Sequence, residues 1–130
     1  MNKSEINLPE VVSEVRKIFY EYEAALMSND LVALRAYFWD SPYVTRYGIA
    51  DKQWGIDQLD EYRQSVPAPN FTRVLEHLRI TTIGDSMATA QVEFLRSDTV
   101  LRGFQTQTWV KFDKEWKIIS AHVSMISWDS

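Results

Sequence analysis

"FTRVLEHLRITTI", Phe71 to Ile83, is where this chain changes its period. From here on, runs rich in Val, Ile, Thr and aromatic residues follow one another: "MATAQVEFLRS", "LRGFQTQTWVKFD" and "EWKIISAHVSMISW". Such residues suit a pleated, half-buried surface, and "GDS" and "DKE" supply tight turns between the runs, with "SDTV" a looser one. Four consecutive strand-like runs joined by short turns predict an antiparallel meander.

Upstream, the repeat is helical. Leu8, Val11, Val12, Val15, Ile18, Phe19, Tyr22, Ala25 and Leu26 recur at i, i+3, i+4 spacing, which marks one apolar helix face. Asn7 with Glu10 three residues on reads as a capping box, with Pro9 tolerated in the first turn. Asp30 is placed to cap a second, shorter helix bearing Leu31, Leu34, Tyr37 and Phe38, which Pro42 ends. "SPYVTRYG" (41–48) reads as a short strand and "GIADKQWG" (48–55) as a loop. A third helix turns Ile56, Leu59, Tyr62 and Val66 inward and stops at "PAPN".

Helices first and a meander after them predict a single α+β domain over residues 1–130, with three N-terminal helices packed on a curved, mainly antiparallel sheet. The helices cover one sheet face. The other face still carries apolar residues, so a homodimer partner is expected to cover it. A curved sheet around a long helix makes a cone whose open end is a natural pocket.

The bulk numbers narrow the function. With 130 residues, a formal charge of −4 and no cysteine, the chain has neither the basic stripe that nucleic acid requires nor any thiolate chemistry. No run approaches a membrane span and the N-terminus has no apolar leader, so a cytoplasmic protein without a membrane partner is expected. Two histidines, without HxxxH spacing or a carboxylate triad, give no expected metal site. The glycines form no phosphate loop.

Two residues stand out chemically. Tyr22 lies on the apolar stripe of the first helix, so its hydroxyl points inward, either as a satisfied core group or as a proton donor activated by a nearby cation. Strand alternation puts Arg46 on the face of Val44 and Gly48, opposite Tyr43, Thr45 and Tyr47. An arginine there needs a partner, either an internal carboxylate such as Glu93 or a ligand carboxylate gripped by the guanidinium fork. Around them, Gln105 and Gln107 alternate along one strand, and His122 and Ser124 share a face of the last. Residues two apart on a strand stand side by side, so His122 and Ser124 read as pocket wall and not as a hydrolase dyad. Arg63 and Arg73 are candidates for positive charge at a pocket mouth, and Trp54 for a lid or a staple on the third helix.

Taken together, "FW", "TRYG", "QWGIDQLDEYR" and "TQTWVKF…EWKIISAHVS" resemble the AtzH/HpxZ-like family of the ketosteroid-isomerase/NTF2-like superfamily, from about Leu8 to Met125. The resemblance implies a conical α+β homodimer acting in bacterial ureido-acid breakdown. The implied reaction converts 1,3-dicarboxyurea to allophanate with loss of CO2, in cyanuric acid catabolism, alongside a carboxybiuret hydrolase complex and without a cofactor. It places the family's active-site tyrosine on Tyr22 and its arginine on Arg46. Gln107, His122, Ser124, Trp54 and Arg73 are then the expected substrate contacts, for a small anionic ureido acid. Phe104 and Val66 depart from the pattern by standing where the family often has arginines. Two alternatives stay open: action on a related ureido acid such as oxalurate, or a non-catalytic scaffold subunit of an amidase complex.

Overall fold

A computed structural model describes residues 3–128. Three helices precede the meander: α1 (Pro9–Met27), α2 (Leu31–Tyr37) and α3 (Ile56–Ser65). The strands are β1 (Thr45–Tyr47), β2 (Lys52–Trp54), β3 (Arg73–Ile83), β4 (Met87–Arg96), β5 (Arg102–Phe112) and β6 (Glu115–Ile126). They form one six-stranded sheet in the order β2-β1-β6-β5-β4-β3. Every pairing is antiparallel except β1 with β6, which run parallel.

The helical period does what it predicts. Val11, Val15, Phe19, Tyr22 and Ala25 of α1 are buried against Ala88, Ala90 and Val92 of β4, Trp109 of β5 and Ile118 of β6. Leu34 and Phe38 from the second helical segment and Leu59 of α3 close the core, each 1% exposed. Burying a large apolar side chain of this kind stabilises a fold by about 1.5–3 kcal/mol.

Curvature comes from two register breaks, one between Glu76 and Arg79 of β3 and one between Thr108 and Trp109 of β5. His77 inside the first has φ 57°, and such bulges bend and twist the strand that carries them. The concave face so produced wraps α1 and leaves a hollow beyond the end of that helix.

Two local expectations fail for identifiable reasons. The first turn of α1 has no side-chain cap, because Leu8 occupies the cap position. Asn7 instead adopts φ 59° and its Oδ1 accepts from Thr82 N–H at 2.9 Å, tying the helix entry to β3. The loop read at 48–55 contains β2, which pairs Arg46 with Gln53 across a turn closed by Gly48 N–H to Asp51 O at 2.8 Å. Three residues are too few to show a period. Asp30 caps α2 as expected, accepting from Ala33 N–H at 3.1 Å.

Candidate functional site

The hollow beyond α1 is a cavity of about 330 Å³ lined by Tyr22, Arg46, Tyr62, Arg63, Arg73 and Gln107, among others. That is at the small end of the range for ligand cavities. Residues 66–71 after α3 and side chains from β1, β3, β4, β5 and β6 also line it.

Helix α1 delivers Tyr22 to the cavity wall, 4% exposed. Phe38 and Tyr37 meet its ring edge-on at 6.0 Å, and Trp109 does so at 6.4 Å. This aromatic collar fixes the ring while leaving the hydroxyl at the cavity. The cation at the hydroxyl is Arg63, whose Nη2 donates to Tyr22 Oη across a long 3.5 Å.

Arg46 reaches the cavity from β1, where it shares the concave face with Gln53 and Ala121, its partners across the two ladders. The ion-pair partner is not Glu93. Glu93 sits in register with Phe104 on the outer face and binds Arg102 at 3.3 Å. Arg46 Nη1 instead donates to Asp51 Oδ1 at 2.8 Å and to Gln53 Oε1 at 2.9 Å, while its guanidinium lies 4.6 Å from the Tyr62 ring centroid. Gln53 Nε2 in turn donates to Asp51 Oδ1 at 2.8 Å. Among the described residues, both side-chain hydrogen bonds of Arg46 use Nη1, and the Nε–Nη2 edge has no hydrogen-bond partner. Two parallel N–H groups on such an edge match a carboxylate.

Arg73 is deeper than a pocket-mouth residue, its side chain 8% exposed. Nη2 donates to Gln105 Oε1 at 3.2 Å and the guanidinium rests 3.9 Å from the Phe94 ring centroid. Its counter-charge is Glu23 on α1, 3.2 Å away. Burial pulls the Arg73 pKa down, and Glu23 and Tyr22 push it back up. Gln107 also faces the cavity, 1% exposed, with its Oε1 accepting from Trp109 Nε1 at 3.0 Å.

Other predicted site residues are not gathered in. Ser124 is in register with Phe104 on the outer face and does not line the cavity. Odd and even positions of β6 face opposite ways, so Ala121 and Val123 are the wall there. His122 reaches only the rim, its exposed ring set edge-on to Tyr47 at 5.7 Å. Trp54 is a β2 residue, 55% exposed with Lys52 Nζ 3.9 Å from its ring centroid, and does not line the cavity. Its backbone N–H donates to Gln58 Oε1 at 2.9 Å, which ties it to α3.

Sequence reasoning missed Asp51, Gln53, Tyr62 and Glu23. Glu23 did leave a signal: Val15, Phe19 and Glu23 are spaced by four, so a carboxylate interrupts a buried stripe. The others come together only through the β1–β2 hairpin and the packing of α3. Among the described residues no three His, Cys, Asp or Glu side chains gather where they would share a metal ion, and no helix is long and apolar enough to cross a membrane.

Comparison with known proteins agrees with this architecture. A structure of unknown function from the DUF3225 family of Pectobacterium atrosepticum superposes with a TM-score of 0.94 at 38% identity, covering 98% of this chain and 99% of that one. A cystatin-like fold protein from Burkholderia xenovorans gives 0.92 at 41%, covering 96% and 98%. At the level of fold alone, an NTF2-like protein of unknown function from Pseudomonas putida gives 0.75 at 15% identity, covering 88% and 86%. No protein of curated function matches. The family model for AtzH-like proteins matches residues 4–129, nearly the whole length. The chain belongs to the AtzH-like family, on an NTF2-like fold.

Proposed function

We propose that this protein is a cofactor-independent enzyme that removes CO2 from 1,3-dicarboxyurea to give allophanate, as the AtzH protein of cyanuric acid breakdown is understood to do. The observation that carries this reading is the pairing, in one small cavity, of a phenol with a guanidinium whose bidentate edge is unused. A scaffold has no need of that combination.

The chemistry follows from the groups. Arg46 grips one carboxylate through Nε and Nη2, a charge-assisted contact worth roughly 1.5–3 kcal/mol. Arg73 supplies positive charge for the second carboxylate, and Gln107 borders the same space. The bond between the ureido nitrogen and the departing carboxylate breaks, CO2 leaves, and the electron pair stays on nitrogen, delocalised into the urea carbonyl. Tyr22 Oη gives the proton that makes the new N–H. Arg63 stabilises the phenolate left behind. Proton transfer of this kind contributes about 10²- to 10⁴-fold.

The working form is proposed to be a homodimer. The outer sheet face presents Val74, 59% exposed, with Ile126 at 45%. At its centre Arg102 is neutralised by Glu76 and Glu93 at 2.7 and 3.3 Å, which lowers the cost of covering it. Supply of the substrate by a carboxybiuret hydrolase, and a cytoplasmic setting, accompany this reading.

The test is CO2 release from 1,3-dicarboxyurea by the purified protein alone, above the uncatalysed rate. Release only in the presence of its amidase partners would favour a scaffold. Release from oxalurate in place of 1,3-dicarboxyurea would move the substrate assignment.

A further inference from the structure

Behind the cavity wall is a buried ion pair that the chemistry above does not use fully. Glu23 Oε2 lies 3.2 Å from Arg73 Nε, with side chains 10% and 8% exposed. The two are close but misaligned. Neither Glu23 oxygen, nor Arg73 Nε, nor Gln105 Nε2 has a hydrogen-bond partner, and all are shut off from solvent. A buried carboxylate without hydrogen bonds is held ionised only by the charge beside it.

Arg73 and Gln105 line the cavity, whereas Glu23 does not. The guanidinium therefore stands between a carboxylate behind it and a space shaped for anions in front. The other charged or titratable groups around the pair are Tyr22 on α1, Arg63 near the end of α3 and Arg96 on β4. Arg63 is turned to the Tyr22 hydroxyl at 3.5 Å and Arg96 is occupied by Asp98 at 2.6 Å, so Arg73 is the cation that acts on Glu23. Burial already pushes the Glu23 carboxyl up, and Arg73 is what opposes it. A ligand carboxylate that draws on Arg73 removes that opposition.

We infer that Glu23 and Arg73 couple anion binding to proton uptake: a small dianion entering the cavity takes Arg73 from Glu23, and Glu23 picks up one proton from solvent. Glu23 is thus a positioning residue that holds Arg73 in readiness and sets the pH dependence of binding. The inference rests on the anion-receptor reading of the cavity proposed above. It gives that reading a purpose, since replacing an N–CO2 bond by N–H consumes one proton per turnover.

The probe is glutarate, a stable dianion with the same five-atom spine as 1,3-dicarboxyurea. Titration calorimetry at pH 8, in buffers of different ionisation heat, should show about one proton taken up per glutarate bound. Where one proton is taken up, affinity should weaken roughly tenfold per pH unit. In Glu23→Gln the uptake should vanish, the pH dependence should flatten, and binding at pH 8 should tighten about tenfold, because no carboxylate competes for Arg73. Arg73→Gln should bind glutarate more weakly and without proton uptake, and serves if Glu23→Gln does not fold. Glutarate binding to the unsubstituted protein without proton uptake would overturn the coupling and leave the anion receptor standing. No binding at millimolar glutarate would overturn both.

Discussion

Arg63 donates to the hydroxyl of Tyr22 across 3.5 Å, joining the end of α3 to the C-terminal half of α1. The phenol of the site thus meets a cation 41 positions away in sequence, while Arg46 is held apart by Asp51 and Gln53. In the proposed mechanism, proton delivery and anion capture fall to different arginines.

Tyr22→Phe should therefore lower the rate of CO2 release by about 10²- to 10⁴-fold, while the aromatic collar keeps the fold. Rate measurement alongside a thermal melt checks this. Arg63→Gln should show a smaller loss, because it stabilises the phenolate without carrying the proton. Full activity in Tyr22→Phe would remove the phenol from the mechanism.

Arg46→Ala should abolish activity, and Arg46→Lys should not restore it. An ammonium cannot offer two parallel donors or lie against the Tyr62 ring as a plane. Each lost charged hydrogen bond corresponds to about 10- to 100-fold in rate or binding. Recovery of more than half the activity with lysine would show that charge alone is read there.

Gly103→Ala tests how Arg73 is held. A Cβ at this buried position would run into the Phe94 ring on the neighbouring strand, and that ring is the surface on which Arg73 rests. Overpacking of this kind typically costs about 1–3 kcal/mol, so the melting temperature should fall. Glutarate binding should weaken in the same variant.

Acid stability should carry the mark of Glu14. Hydrogen bonds from Lys111, first in size, and from Trp116 hold its carboxyl below the ordinary value of 4.5. A depressed carboxylate contributes stability above its unfolded value, and that contribution is lost as pH falls through its folded value. The side chain is 43% exposed, so solvent screening limits the effect to under about 1 kcal/mol. Denaturation curves of Glu14→Gln should show a deficit at pH 7 that shrinks as pH falls below the ordinary carboxylate range.

Val74→Glu with Ile126→Glu should convert a dimer to monomers if the outer sheet face is the contact between copies. Light scattering reads this directly, with the circular dichroism spectrum unchanged. A wild-type monomer at micromolar concentration would overturn the dimer.

The architecture was legible in the chain because its periods are long and clean. The stripe from Leu8 to Leu26 fixed α1 and its buried face, and the runs after Phe71 fixed four strands of a curved sheet. Tyr22 and Arg46 could be placed on inward faces by the same spacing. Spacing could not say what each would meet there. The partner of Arg46 is Asp51, because the 48–51 turn folds it back, and the expected Glu93 lies on the opposite side of the sheet. Ser124 and Trp54 likewise fell on outward faces, while the wall was completed by alternate residues and backed by Glu23, hidden in an apolar stripe. Period is a property of one segment and is set by backbone geometry, so sequence alone determined the helices, the strands and their faces. The assembly of Tyr22 with Arg63, Arg46 with Asp51 and Arg73 with Glu23 joins segments through register and packing, and only the tertiary structure decided it.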